Sequence, residues 1–204
     1  MNVLPQFPLG TVLFPSMLLP LHVFEPRYRA LIEDLSGEGG SFGVVLIERG
    51  SEVGGGDQRS EFGTIARIVE AEQLNDGRWA VITVGTERFK VDRWLSDAPY
   101  PLAEVTSWPD EEPSGDLSGR YGQVVALFRR CMALAAESGV DVGPLPETFD
   151  DMYIGCMQMS ALAPVTTHDK QRLLGAPGPA ERIEMLEIML TDALELIEAR
   201  LTDS

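Results

Sequence analysis

The pattern of apolar and polar positions changes near residue 110. Before that point, short apolar or alternating segments are separated by glycine, proline and polar residues, which is typical of β-strands. After the proline-rich and acidic segment at residues 108–116, apolar residues recur at spacings of three and four, which indicates helices. The pattern therefore predicts an α+β protein, with a β domain at residues 1–110 and a helical domain at residues 117–204.

Five or six short strands are expected in the first part. Residues 7–21 form two extended segments joined at Pro15 and Ser16, and "FGVVLIERG" at residues 42–50 is a β-branched run. Alternation over residues 61–95, with a tight turn at "NDG", predicts an antiparallel meander of three strands. "PYPLAEVTSW" supplies one more strand. Strands of this length and number favour a small barrel or a curled sheet.

One helix interrupts the predicted strands. Pro26 stands at a position that suits the first residue of a helix, because its ring fixes the required backbone angle. Tyr28, Leu31, Ile32 and Leu35 then recur at spacings of three and four and give the helix a single apolar face. We expect this helix to plug or flank the sheet.

Four helices are expected in the second part. They span about residues 118–139, 146–163, 168–174 and 179–201, with Ser118 as the cap of the first helix. The apolar stripe of the last helix runs through its whole length. These helices predict a bundle that follows the β domain.

Methionines cluster in two of these helices. Met152, Met157 and Met159 lie in one, and Met185 and Met189 lie in another. Flexible methionine surfaces can bind varied partners, but methionine at helical spacing is more often core filler. The core interpretation is preferred.

The cysteines and histidines do not indicate a metal site. Cys131 and Cys156 are the only cysteines, and neither belongs to a Cys-x-x-Cys pair, so we expect buried free thiols. His22 and His168 are the only histidines and are far apart in sequence. We therefore predict no metal ligands.

The charge balance disfavours two classes of partner. The 204 residues include 32 acidic and 16 basic side chains, which gives a formal net charge of −16. A field of that sign repels phosphate backbones and anionic lipid, so neither nucleic acid nor membrane is an expected partner. The sequence also lacks a run of about 20 apolar residues and the pattern of a secretory signal. The expected location is the cytoplasm.

Basic residues on the predicted meander could form a local basic stripe. Arg67, Arg78, Arg88, Lys90 and Arg93 all fall within it, but acidic residues alternate with them. A mixed, solvated face is the preferred interpretation.

No catalytic constellation stands out. The only lysines, Lys90 and Lys170, do not follow a glycine as a phosphate-binding loop requires, and the glycine-rich segment at residues 50–58 is expected to be an ordinary loop. A Gly-x-Ser-x-Gly motif is also missing. Ser160 and Lys170 could be proposed as a Ser-Lys pair, but their spacing does not mark an activated nucleophile. We predict no catalytic residues and no cofactor.

The order of several segments resembles a known family. Residues 3–107 carry a proline-flanked first strand, "PLHVFEPRYR" at the entry to the helix, "FGTIARI", and the hairpin "DGRWAVITVGTERFKV". In this order they resemble the N-terminal substrate-binding domain of Lon proteases. The helical remainder is similar to the tail of stand-alone members of that family, which carry this domain without the rest of the protease.

The resemblance implies a fold and a function. The implied fold is a PUA-like β pseudo-barrel with one inserted helix, followed by a C-terminal helical bundle. The implied function is recognition of unfolded or tagged polypeptide in protein quality control, as a client receptor or adaptor for a protease or chaperone. The ATPase and Ser-Lys protease modules of full-length Lon are not found in these 204 residues, so we expect no enzymatic activity.

A polypeptide receptor needs exposed apolar surface and an available strand edge, because an unfolded client offers backbone groups and scattered apolar side chains. Met17, Leu18 and Leu19, which follow the predicted turn, are the first candidates. Trp94 and Tyr100, at the ends of later strands, are the others, if they lie on the same rim.

Four further residues match the family pattern, namely His22, Arg27, Tyr28 and Arg88. Structural roles are preferred for all four, and Arg88 in particular is expected to pair with a carboxylate. Two alternative functions stay open: a peptidase or other enzyme with an unrecognised active site, and RNA binding through a PUA-like barrel.

Overall fold

The computed structural model describes residues 2–35, 39–50, 58–146 and 149–202. The chain divides into two compact units, Met1–Pro109 and Asp110–Ser204. Most of the glycine-rich segment that was predicted to be a loop, residues 51–57, lies outside the described residues.

The described part of the first unit contains six strands and one helix. The elements are β1 (Asn2–Leu9), β2 (Leu18–Val23), α1 (Pro26–Leu35), β3 (Ser41–Arg49), β4 (Gln58–Gln73), β5 (Trp79–Trp94) and β6 (Leu102–Ser107). The predicted joint between the first two extended segments is confirmed, because Ser16 adopts a φ of 66° and the Met17 amide donates to the Phe14 carbonyl.

The six strands form one mixed sheet in the order β2-β5-β4-β3-β1-β6. β1 and β3 run parallel, and the other paired strands are antiparallel. An additional pairing joins β5 to β6, so that β5, β4, β3, β1 and β6 form a closed ring of paired strands. β2 lies outside this ring and pairs with β5. With the five helices described across the chain, this sheet confirms the predicted α+β class.

The predicted three-strand meander is wrong, because its last two strands are one continuous strand, β5. The tight turn at residues 75–77 is confirmed: Gly77 has a φ of +79°, and the Leu74 amide donates to the Arg78 carbonyl. Gly85 lies in the middle of β5, where the sequence would permit a break. It instead continues the strand, and its lack of a side chain makes room for the Phe14 carbonyl oxygen, with which a Cβ would collide.

Helix α1 packs its apolar face against the sheet. Tyr28, Leu31 and Ile32 are buried in a core cluster with Phe7 and Phe42. The rings of Phe7 and Tyr28 are stacked, with their centroids 4.1 Å apart. The predicted start of this helix at Pro26 is confirmed.

The described part of the second unit contains four helices and no strand. They are α2 (Ser118–Glu137), α3 (Met152–Leu162), α4 (Thr167–Leu174) and α5 (Pro179–Thr202). Two predicted helix starts are wrong. Ser118 is the first helical residue rather than the cap, and the carboxylate of Asp116 accepts from its amide. α3 begins at Met152 instead of residue 146, because the carboxylate of Asp151 caps it by accepting from the Ile154 amide.

A buried ion pair stabilises the second unit. The guanidinium of Arg182, which is fully buried, donates to both carboxylate oxygens of Asp110 at 2.9 Å. It also donates to the carbonyls of Leu173 and Ala176. These four hydrogen bonds satisfy a charge that would be costly to bury alone.

The cysteines and some methionines belong to the core of this unit. Cys131 and Cys156 are buried and free, as predicted. Met157 and Met159 are buried, which confirms the core interpretation for α3. Burial raises the pKa of the Cys156 thiol to about 12, so this thiol is protonated at neutral pH.

Candidate functional site

Among the strands of the described residues, β2 lies at the edge of the sheet and pairs with β5 alone. The Met17 carbonyl, just before β2, accepts from the Gly85 amide at 2.9 Å. The Leu19 carbonyl accepts from the Thr83 hydroxyl at 3.1 Å. Both donors belong to β5. Because backbone groups alternate in direction along a strand, the residues between these positions direct theirs away from β5.

The outward backbone positions of β2 are therefore Leu18, Pro20 and His22. Proline has no N–H and is confined in sheets to edges and bulges, which fits its place in the middle of β2. The free edge offers the amides of Leu18 and His22 and the carbonyls of all three residues. A further strand could form hydrogen bonds with these backbone groups, although Pro20 contributes no donor.

A groove opens between the end of β1 and β2. We call it the β2 groove; it has a volume of about 200 Å³ and is lined by residues 7–9, residues 20–25 and Tyr28. Phe24, one of its lining residues, is 57% exposed. The Tyr28 ring is held by its stacking on Phe7. The groove is thus a mixed surface in which apolar side chains such as Phe24 lie beside the polar groups of His22 and Glu25.

Arg27 contacts two residues that line the β2 groove, Glu25 and Tyr28. The Arg27 Nε donates to the Glu25 carboxylate at 3.2 Å. The Arg27 guanidinium carbon also lies 4.5 Å from the centre of the Tyr28 ring, a cation–π contact. These contacts give Arg27 and Tyr28 the structural roles that the sequence analysis preferred, while His22 is exposed on the strand edge.

An apolar surface follows the face of β2 that carries Leu18 and Pro20, and Pro20 also borders the β2 groove. Leu18 is the register partner of Val84, and Pro20 is the register partner of Ile82. Because partners across a sheet share a face, these four residues form one patch, which we call the outer stripe. Leu18 is 67% exposed and Ile82 is also exposed.

Four of the predicted site residues differ in their degree of burial. Leu18 is exposed, whereas Met17, Leu19 and Tyr100 are partly buried and pack against the core cluster that contains Phe7. Leu18 is therefore the member of the Met17–Leu19 group with the most surface available to a partner.

The two predicted aromatic residues are held by polar contacts. The Tyr100 hydroxyl donates to Asp34 at 2.8 Å. The pKa of Tyr100 is raised, mainly by burial and also by this hydrogen bond. Trp94 lies at the end of β5 against a different core cluster. The Arg59 guanidinium, which pairs with Asp97, stacks on its ring. The structure does not bring Trp94 together with Leu18.

Sequence analysis missed Pro20, Phe24 and Ile82, which contribute the apolar parts of the β2 groove and the outer stripe. Alternation in "LLPLHVF" could have indicated that Leu18, Pro20 and His22 share one face. The contribution of Ile82 depends on the pairing of β2 with β5, which is long-range.

Arg88 stacks on an aromatic ring. It is 3% exposed, and its guanidinium carbon lies 4.4 Å from the centre of the Trp108 ring. The Lys90 ammonium lies 4.0 Å from the same ring, and Phe62 meets it edge-on. This cluster is a packing feature of the first unit.

The other basic residues of β5 do not form an uninterrupted basic stripe. Arg93 pairs with Glu104 at 2.6 Å, and Arg78, just before β5, pairs with Asp76 at 2.6 Å. These ion pairs agree with the mixed, solvated face that the sequence indicated.

Ser160 and Lys170 are each bonded to a backbone carbonyl. The Ser160 hydroxyl, which is fully buried, donates to the Cys156 carbonyl at 2.7 Å. The Lys170 ammonium donates to the Ala161 carbonyl at 2.6 Å, and burial lowers its pKa. A buried hydroxyl that already donates within its own helix is poorly placed to attack a polypeptide.

The described residues contain neither a cluster of metal ligands nor a membrane-spanning helix. Within them, no three histidine, cysteine or acidic side chains come together as ligands for a metal ion. The helices of the same residues are all too short or too polar to cross a bilayer.

Comparison with known proteins identifies relatives among Lon proteases. Lon protease 2 of Herpetosiphon aurantiacus is 29% identical over 209 residues, which cover 96% of this chain and 24% of the relative. Lon protease of Flavobacterium johnsoniae is 35% identical over 112 residues, or 54% of this chain and 14% of the relative. The chain spans about a quarter of the length of the first relative.

Solved structures show the same fold. The Lon N-terminal domain protein from Xanthomonas campestris matches with a TM-score of 0.70 and 28% identity, over 92% of this chain and 98% of that one. The N-terminal domain of Mycobacterium avium complex Lon protease matches with a TM-score of 0.69 and 19% identity, over 94% and 99%.

The family profile agrees with both sets of relatives. The substrate-binding domain of ATP-dependent protease La (LON) matches residues 3–192, which include almost all of the sheet and most of the helices. The chain therefore belongs to the family of the LON substrate-binding domain.

Proposed function

We propose that this chain is a non-catalytic polypeptide-binding module and that its site is the free edge of β2. The observation that carries the proposal is the position of this edge between the partly apolar β2 groove and the apolar outer stripe. Family membership supports polypeptide as the class of ligand.

Binding would proceed by strand addition. An extended segment of an unfolded client would pair with the outward backbone groups of β2, and its side chains would alternate between the groove and the outer stripe. β2 has six residues and so spans about 20 Å. Backbone hydrogen bonds do not depend on the identity of the client's side chains. Such a site would therefore accept many clients, with a preference for segments in which apolar residues alternate.

In the cell, we propose that the module acts in the cytoplasm as a client receptor or adaptor for a protease or chaperone, and that tagged polypeptides are also among its clients. The names of its relatives as Lon proteases support a link to proteolysis. The proteolytic activity itself belongs to those relatives, of which this chain covers a minor part.

Two finer features of the fold belong to the same proposal. The closed ring of five strands supports a PUA-like pseudo-barrel. The contacts of α2 and α3 with α5 support a helical bundle. We also propose that residues 1–110 and 117–204 are the two domains.

A binding titration tests the proposed function. A fluorescently labelled polypeptide that is kept unfolded by chemical modification of its cysteines is titrated with the wild-type chain, and anisotropy is recorded. Leu18→Ser should weaken binding several-fold, because it removes the most exposed apolar side chain of the outer stripe.

Val3→Ser is the matched control for this titration. Val3 is an exposed apolar residue of β1, in the same unit but away from β2, and its replacement should leave the affinity unchanged. Absence of binding by the wild type, or equal effects of the two substitutions, would contradict the proposal.

A further inference from the structure

A second groove lies in the helical unit. We call it the α5 groove; it has a volume of about 290 Å³ and is lined by residues 164–166, by Asp169 and Arg172 of α4, and by one face of α5. The α5 face consists mainly of Met185, Ile188, Met189, Asp192 and Leu196.

This face of α5 is separate from the face that builds the core. Ile183, Leu186 and Leu190 are fully buried on the core side of α5. In the groove, by contrast, Ile188 is 57% and Leu196 is 64% exposed. A surface helix needs one apolar face to pack against the core. A second, exposed apolar face is typical of a surface that binds a partner.

The spacing of the second face suits a helical partner. Met185, Ile188, Met189, Asp192 and Leu196 recur at intervals of three and four residues, so they form one continuous stripe along α5. Helix-in-groove recognition uses apolar anchors with this same spacing on the partner. The methionines, which the sequence analysis assigned to the core, give the surface adaptable side chains.

The charges around the α5 groove indicate the sign of the charge that its partner should carry. The one cation of the groove lining, Arg172, pairs with Asp169 at 3.2 Å. Asp192 lies in the middle of the apolar stripe. Among the described residues, none forms an ion pair or a hydrogen bond with its carboxylate. Residues 110–204 contain 17 acidic and seven basic side chains. A cationic partner is therefore favoured, and a second copy of this acidic unit is disfavoured.

We propose that the α5 groove binds a basic amphipathic helix of another protein. Apolar side chains at positions i, i+3 or i+4, and i+7 of that helix occupy the groove, and a lysine or arginine among them pairs with Asp192. This inference rests on the helical unit alone and is independent of the site at β2.

Synthetic peptides test the proposal. One peptide contains leucine, alanine and lysine, with its leucines on one helical face, and the matched peptide has glutamate in place of every lysine. Binding of each labelled peptide to the full chain is measured by anisotropy. The lysine peptide should bind at least about tenfold more tightly than the glutamate peptide.

Substitutions then locate the site. Asp192→Lys should weaken binding of the lysine peptide about tenfold, whereas Glu137→Lys, an equal change in net charge at an exposed position of α2, should change it by less than about twofold. Replacement of both Ile188 and Leu196 by serine should also weaken binding about tenfold. Circular dichroism verifies that each variant keeps its helices.

Three results would overturn the proposal. The lysine peptide could fail to bind. Asp192→Lys and Glu137→Lys could have equal effects, which would show attraction to net charge alone. Finally, sedimentation could reveal a dimer that the serine substitutions at Ile188 and Leu196 abolish, which would make a second copy the occupant of the groove.

Discussion

Leu18 of β2 lies directly across from Val84 of β5, and two thirds of the Leu18 side chain is exposed. Its neighbours in sequence, Met17 and Leu19, are instead partly buried against the core. The alternation of a strand therefore separates a surface position from two packing positions within three consecutive residues.

Leu18→Ser should change the free energy of unfolding by less than about 0.5 kcal/mol, because an exposed side chain contributes little to folding. Leu19→Ser should lower it by about 1–2 kcal/mol, because this side chain packs against the core cluster. Urea titrations of the two variants provide the measurement. A large loss of stability for Leu18→Ser would place that residue in the core.

Arg182→Ala should destabilise the helical unit by about 3–5 kcal/mol, because it leaves the Asp110 carboxylate without its partner in a protected site. Arg130→Ala is the control, since Arg130 pairs with Glu198 on the surface and its removal should have little effect. Denaturant titrations followed by far-ultraviolet circular dichroism compare them. Equal effects would show that the buried ion pair contributes no more to the free energy of unfolding than the surface pair does.

The Cys156 thiol should react with a thiol reagent only after unfolding, because it is buried and its pKa is about 12. Its raised pKa also predicts a pH dependence. The folded protein holds the proton, so the resulting stability is complete below about pH 9 and is lost as the pH rises toward 12.

Two measurements check these expectations for Cys156. Labelling in native buffer is compared with labelling in denaturant, and the stability of Cys156→Ala is compared with that of the wild type across alkaline pH. The wild type should lose more stability than the variant between pH 9 and 12. Rapid native labelling of Cys156 would contradict the account.

Gly85→Ala should destabilise the first unit, because the new Cβ would collide with the Phe14 carbonyl oxygen, a backbone atom that cannot turn aside. Gly122→Ala should instead stabilise the protein by about 0.5–1 kcal/mol, since Gly122 lies inside α2 with open space around it. Melting temperatures of the two variants test this contrast. A neutral result for Gly85→Ala would mean that the segment containing Phe14 can move away from β5 without cost.

Local signals predicted much of the fold. Pro26 marked the start of α1, and the turn at residues 75–77 was identified from residues that tolerate positive φ. The continuity of β5 through Gly85 was not predicted, because the reason for a glycine there is the approach of Phe14, which is distant in sequence. A local pattern shows that a glycine is needed and does not show which backbone it meets.

The candidate site was predicted less completely than the fold. Leu18 was identified because it follows a turn and a proline, which are local features. The inclusion of Trp94 depended on the course of β5, and treating this long strand as two shorter ones hid the separation of Trp94 from Leu18. The edge position of β2 depends on which strands pair with each other, and this long-range pairing could not be predicted from one sequence.

Hydrogen–deuterium exchange of the chain, with and without an unfolded polypeptide, tests the central claim most directly. Strand addition should slow exchange at the outward amides of Leu18 and His22, while β3, which is paired on both sides, should exchange as before. Unchanged exchange over residues 18–24, with protection confined to other elements, would contradict the claim that β2 is the polypeptide-binding edge.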